Sequence, residues 1–150
     1  MKKIIALDLG TKTLGIAITD GLLIAAHGYE NFTFEEGNYK KARQHILDIL
    51  DKEGVEELAI GLPLHMSGAT SARSESALRF RDDLLSERPA LKIAMVDERM
   101  TSIIANKRLL EADLSRSKRK AVIDKMSAVV ILESYLQMRD QPWMNKTKNS

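Results

Sequence analysis

Residues 3–19 read KIIALDLGTKTLGIAIT. An apolar run climbs to one carboxylate, Asp8, breaks at Leu9-Gly10-Thr11-Lys12, and resumes from Leu14 to Ile18. Two Ile- and Leu-rich runs joined by a Gly-bearing turn predict strands over 3–9 and 14–19. Residues 22–32 (LLIAAHGYENF) predict a third strand, with Gly21 as the turn before it. Three successive strands with tight connections make an antiparallel meander. The question this stretch raises is why an acid ends a strand that otherwise reads as buried.

The period then changes. Ala42, Ile46, Leu47, Ile49 and Leu50 fall at helical spacing between Tyr39 and Lys52, and Gly54 is a stop signal. Residues 55–62 (VEELAIGL) predict a strand ending at Pro63. A helix over 70–88 presents Ala72, Ser76, Phe80, Leu84 and Leu85 on one face, and 91–97 (LKIAMVD) predict a last strand. Thr101 is an N-cap for a helix running through Leu110. Residues 113–120 read as a polar, basic loop, and 121–138 (AVIDKMSAVVILESYLQM) as the strongest helix. The order β-β-β-α-β-α-β-α-α predicts an α/β fold, a mixed sheet with helices on its faces.

The 150 residues suit one domain, assigned to 1–140, with 141–150 as a flexible tail carrying Pro142 and several Lys and Asn. There is no cysteine, which excludes disulfides and thiolate metal sites. No run approaches the roughly 18 apolar residues of a membrane span, and Asp8 interrupts the N-terminal apolar run before it reaches signal-peptide length. The expectation is a cytoplasmic protein with no membrane partner. Net charge is only +2, yet it is uneven: residues 1–60 hold 7 Lys/Arg against 10 Asp/Glu, residues 61–150 hold 16 against 11. Within 115–125 (SRSKRKAVIDK) five basic residues surround the single acid Asp124. Such a segment is either a solvated surface or a polyanion contact.

Other polar residues also sit where apolar strands finish. Asp97 and Glu98 end the last strand, and His65 and Ser67 follow Pro63. Ligand sites in sheets with parallel strands lie at the carboxyl ends of those strands. By strand alternation Asp97 and Glu98 point to opposite faces, so at most one of them faces a site there. Asp124 shares a helix face with Ser127, Ala128 and Ile131, a small and mostly apolar surface on which an unpaired acid is costly. Acids brought together in this way repel one another. A divalent cation with oxygen preference, such as Mg²⁺, removes that difficulty and supports attack of water on a phosphodiester.

Four segments, LDLGTKTLGIAITD (7–20), AIGLPLHMSG (59–68), VDERMTS (96–102) and IDKMSAVVILESYL (123–136), together resemble the RuvX (YqgF) family of bacterial Holliday-junction-resolvase-like or pre-16S rRNA nucleases. The resemblance covers about residues 3 to 138. It implies a ribonuclease H-like fold: a five-stranded mixed sheet, the first three strands antiparallel, flanked by helices. It implies a catalytic and metal-binding triad of Asp8, Glu98 and Asp124, with Asp97 as the alternative to Glu98, and Mg²⁺ or Mn²⁺ as cofactor. Thr11, Lys12, Arg99 and Thr101 fall near that site. Lys12 and Arg99 suit phosphate oxygens, although Arg99 reads equally as the salt-bridge partner of a neighbouring acid. His65 is a further substrate contact, and the run Arg116, Lys118, Arg119, Lys120 suits a nucleic-acid backbone. The chain departs from the family pattern at Thr13, at His65 and at Ser127. The implied partner is structured RNA or branched DNA, with a pre-ribosomal particle as the setting and a monomer or homodimer as the acting form.

Two other readings compete. One is a non-catalytic nucleic-acid-binding or transcription-associated module on the same fold. The other is a sugar-kinase or actin-like ATPase, whose first phosphate loop DLGTKTLGIAI also resembles. Such ATPases clamp nucleotide between two domains, and 150 residues supply one.

Overall fold

The computed structural model describes residues 2–23, 25–100 and 116–140, with 100, 116–124 and 140 described as backbone alone. The elements are β1 (Ile4–Leu9), β2 (Thr13–Thr19), β3 (Ala26–Thr33), α1 (Tyr39–Glu53), β4 (Glu57–Leu62), α2 (Ala72–Glu87), β5 (Lys92–Asp97), a single 3₁₀ turn (Glu98–Met100) and α3 (Arg116–Asp140). The sheet order is β3-β2-β1-β4-β5. β2 lies antiparallel to both β1 and β3, whereas β4 runs parallel to both β1 and β5. This is the five-stranded mixed sheet that the sequence implied.

Alternation along the strands sorts the side chains onto two faces. Ile5, Leu7 and Leu9 of β1 join Leu14, Ile16 and Ile18 of β2 and Leu58 and Ile60 of β4. α1 covers them with Ala42, Ile46, Leu47, Ile49 and Leu50, the five residues that its period singled out. α2 adds Ala77, Phe80 and Leu84. The opposite face carries Ile4, Ala6, Ala17, Ala59 and Val96, packed under Ala128, Val130, Ile131, Leu132, Tyr135 and Leu136 of α3. Three of these five sheet residues are alanines, so α3 seats close to the backbone. A Cβ built on Gly61 of β4 would meet Ile131 Cδ1 at 2.5 Å.

Three expectations need correction. β3 starts at Ala26, not at residue 22, because the chain reverses over 20–25. The Leu23 N–H donates to the Asp20 carbonyl (3.1 Å) and the Asp20 N–H to the Ala25 carbonyl (3.2 Å). Leu23 takes the left-handed conformation, φ +58°, and Leu22 is exposed. The apolar run LLIAA imitated a strand there. The buried face of α2 is Ser74, Ala77, Phe80 and Leu84, not the set beginning at Ala72 and Ser76. Its orientation is fixed by a capping box at Ser71 and Ser74, and the Ser71 hydroxyl also donates to the Pro63 carbonyl (3.3 Å). Finally, Arg116 to Lys120 belong to the first turns of α3 and not to a loop. The expected helix from Thr101 through Leu110, the expected loop residues 113–115 and the expected tail 141–150 lie outside the described residues. No helix among the described residues is long and apolar enough to cross a membrane.

Candidate active site

Asp8 is the fifth residue of β1, on the alternation of Ile4 and Ala6, so it faces α3. It is 5% exposed. Across the antiparallel pair it stands opposite Gly15, and β1 pairs Leu7 with Ile60 of β4, which carries Gly61 level with Asp8. Both neighbours of the acid are therefore glycines, so no side chain from β2 or β4 stands beside it on this face.

Glu98 continues the alternation of Ala94 and Val96 onto the same α3 face, and is 8% exposed. A Cβ on Gly61 would lie 3.4 Å from the Glu98 carboxyl carbon, so the glycine leaves the room that this carboxylate occupies. Asp97 takes the opposite alternation, with Ile93 and Met95, and is committed elsewhere. Arg99 closes on it: the Arg99 backbone N–H donates to Oδ1 (2.9 Å), Nη2 to Oδ2 (2.7 Å) and Nε to both oxygens (3.1 Å each). These hydrogen bonds hold the Asp97 carboxyl below the usual carboxylate range, against the opposing effect of burial. Arg99 Nη1 also donates to the Met66 carbonyl (3.2 Å), on the loop after β4. Gly68 in that loop has φ +90°, and a Cβ there would be 3.3 Å from Arg99 Nη1. Of the two readings of Arg99, its salt bridge to a neighbouring acid is the one formed here.

The backbone of α3 carries Asp124 three, four and seven residues before Ser127, Ala128 and Ile131, all buried against the sheet. Helical period puts position 124 on the same face as these three. Its side chain is outside the described atoms, as are those of Arg116, Lys118, Arg119 and Lys120. Thr101 lies outside the described residues. Among the described residues no group of three acids or histidines gathers as a metal cage. Asp8 and Glu98 form a two-carboxylate set on one face, and all-oxygen donors match a hard cation such as Mg²⁺ or Mn²⁺.

Thr11 and Lys12 are exposed at the β1–β2 turn, three and four residues past Asp8. The turn is held from inside: the Gly10 N–H donates to the Thr13 carbonyl (2.8 Å), the Phe34 N–H to the Lys12 carbonyl (2.8 Å) and the Gly37 N–H to the Thr11 carbonyl (3.0 Å). Thr13, the departure from the family pattern, is not part of the exposed tip. It is buried as the first residue of β2, with its hydroxyl packed on Gly10. His65 is exposed, and its backbone closes the loop turn through the Gly68 N–H (2.8 Å) and the Ala69 carbonyl (3.1 Å).

Two residues escaped the sequence reading. Arg73, in the first turn of α2, sets Nη2 3.6 Å from Asp8 Oδ1 and donates from the same nitrogen to the Leu9 carbonyl (3.1 Å). Asn31 of β3 pairs with Gly15, which in turn pairs with Asp8, so the three form a row across the sheet. Asn31 Oδ1 is buried and has no hydrogen-bond partner among the described residues. A polar residue opposite a strand glycine was the available signal for Asn31. A cation at a helix N-terminus, where the dipole disfavours it, was the signal for Arg73.

A mixed sheet in this order, with buried acids at the ends of β1 and β5 on either side of β4, defines a ribonuclease H-like protein. Solved structures agree on the fold: Thermus thermophilus RuvC with a Holliday junction substrate superposes with TM-score 0.58 at 11% identity, covering 91% of this chain and 95% of that one. A second Thermus thermophilus RuvC structure gives 0.56 at 12% identity, covering 95% and 96%. The RuvX family model, described as Holliday junction resolvase, matches residues 2–138, and the chain belongs to that family of nucleases. Proteins of Staphylococcus aureus strains JH9 and N315, provisionally named pre-16S rRNA nucleases, are each 42% identical over 134 residues, covering 89% of this chain and 94% of theirs.

Proposed function

We propose that this nuclease hydrolyses phosphodiester bonds in structured precursor ribosomal RNA in the cytoplasm, with Asp8, Glu98 and Asp124 holding Mg²⁺ or Mn²⁺. The observation that carries the reading is the pair of buried carboxylates, Asp8 and Glu98, brought to one sheet face from strands 90 residues apart in sequence, while Asp97 is turned to the other face and bound by Arg99. Two acids buried on one face repel each other, and a bound divalent cation would relieve that repulsion. The choice of RNA rests on the 42% identical relatives and their names. When bound, the metal neutralises the acids, activates water and stabilises the departing oxygen. Asp8 and Glu98 are themselves largely shielded from solvent, so their carboxylates would meet a bound cation with little competition from water. The rigid Asp97–Arg99 pair fixes the loop carrying His65 and Met66 beside it. Exposed Thr11, Lys12 and His65, and the basic sequence from Arg116 to Lys120 at the start of α3, are of the residue types that suit phosphate oxygens, and the proposal assigns substrate contacts to them.

The family description favours a second reading, cleavage of branched DNA by a two-fold dimer. The test offers the purified protein a precursor 16S rRNA and a four-way DNA junction side by side, with Mg²⁺, with Mn²⁺ and with EDTA. Metal-dependent cleavage of the RNA supports the proposal. Cleavage of the junction alone selects the resolvase. Tight RNA binding with neither substrate cut, whatever the metal, selects a non-catalytic binding module.

A further inference from the structure

We infer that Arg73 is a substrate-binding residue of this site, holding a phosphate of the nucleic-acid strand beside Asp8. The inference rests on the nuclease reading above and extends it to a residue from α2, an element that supplies none of the acids.

Arg73 is delivered to the site by a built device. Ser71 caps α2, its hydroxyl accepting from the Ser74 N–H (3.2 Å) while the Ser74 hydroxyl accepts from the Ser71 N–H (2.6 Å). The Ser71 hydroxyl also donates to the Pro63 carbonyl, which ties the helix start to the end of β4. Two residues on, Arg73 extends to the end of β1 and donates to the Leu9 carbonyl at 3.1 Å. Its Nη2 lies 3.6 Å from Asp8 Oδ1, within ion-pair reach but too long for a hydrogen bond. The guanidinium is therefore anchored on a backbone carbonyl and not on the acid. Asp8 remains able to bind a cation through its carboxylate while Arg73 stays where it is.

Arg73 does little for its own helix. A cation in the first turn opposes the helix dipole. Its side chain is 45% exposed, and among the described residues Nε and Nη1 have no acceptor. A planar, permanently charged guanidinium is thus held to β1 through one Nη2 N–H, half-exposed and next to a buried carboxylate, with donors left over for a ligand. Guanidinium suits this task because two parallel N–H donors match two phosphate oxygens. The same positive charge offsets the repulsion between Asp8 and an arriving phosphate.

The test measures binding of a labelled stem-loop RNA, by anisotropy, to wild-type, Arg73→Lys and Arg73→Gln proteins in EDTA across a salt series. Mn²⁺ titration calorimetry and thermal melts are run on the same samples. The expected result for Arg73→Gln is RNA affinity lowered about five- to tenfold, a salt slope shallower by about one phosphate contact, and Mn²⁺ binding retained. Arg73→Lys recovers the slope but not the full affinity, because lysine keeps the charge without the fork. Unchanged RNA affinity and slope in well-folded Arg73→Gln protein overturns the inference and leaves Arg73 a tie between α2 and β1. Failure of wild-type protein to cleave any RNA would count against the nuclease reading alone, since the binding series in EDTA does not depend on cleavage.

Discussion

One face of the sheet carries Ile5, Leu7, Leu9, Leu14, Ile16, Leu58 and Ile60; the other, one residue out of step on the same strands, carries Ala6, Asp8, Gly15, Ala17, Ala59 and Gly61. The first face interlocks large side chains with two helices. The second seats a single helix close to the backbone and leaves room for carboxylates. On the proposed function, the alternation of a strand gives one residue run two separate duties, a large-side-chain core on the α1–α2 face and chemistry at the strand ends of the α3 face. The contrast is sharpest at the end of β5, where consecutive acids part company: Asp97 turns to the first face and is neutralised by Arg99, while Glu98 turns to the second.

Splitting that acid pair is the sharpest way to break the comparison. Glu98→Gln is expected to lower kcat about a thousandfold, near 4 kcal/mol in barrier, measured as metal-dependent cleavage of precursor rRNA. Asp97→Asn is expected to cost tenfold or less, through loosening of the loop that Arg99 holds. Equal losses would mean that the face of a residue does not decide its role.

On the opposite face, Phe80→Ala should lower unfolding free energy by about 3–5 kcal/mol, seen in urea titration, because a fully buried ring leaves a cavity. The fraction still folded should keep wild-type kcat. Gly61→Ala lies between the two duties. Its Cβ would press on Ile131 and stand beside Glu98, so a loss of about 1–2 kcal/mol in stability should come together with a fall in kcat. Shortening the neighbour in Gly61→Ala/Ile131→Val should restore part of both. The smallest effect concerns the far end of α3, where the Tyr135 hydroxyl donates to Glu57, which also accepts from Arg139 Nε (3.0 Å). Burial, and then the bond to the Glu57 carboxylate, push the Tyr135 pKa above its ordinary value of 10.0. The folded state therefore holds this proton more tightly than the unfolded chain. Its contribution, about 1 kcal/mol, is fully present below pH 10 and is lost as the pH rises above it. Melts of wild type and Tyr135→Phe should converge only on that alkaline side.

Much of this was legible in the sequence because it rests on short-range periods. The five apolar positions of α1 gave its buried face, and the split of Asp97 from Glu98 followed from strand alternation alone. What escaped depends on other information. The turn at 20–25 is made by a leucine in a left-handed conformation, in a run whose composition is that of a strand. The buried face of α2 combines Ala77, Phe80 and Leu84 with Ser74, a polar residue buried because it belongs to the cap tied to Pro63. Arg73 meets Asp8 across 65 residues of sequence, and only the placement of α2 beside the end of β1 brings them together. Thr13, a departure from the family pattern, is a buried strand residue whose hydroxyl packs on Gly10, a place that its sequence neighbours do not announce.

The claim that the small-residue face is a metal-dependent cutting site is tested most directly by Asp8→Asn, assayed for cleavage of precursor rRNA in Mn²⁺ alongside a thermal melt. Asparagine keeps the shape and removes the buried charge. The account predicts cleavage reduced about a thousandfold or more, with the melting temperature equal to or above that of wild type. Cleavage at the wild-type rate by folded Asp8→Asn protein would contradict it.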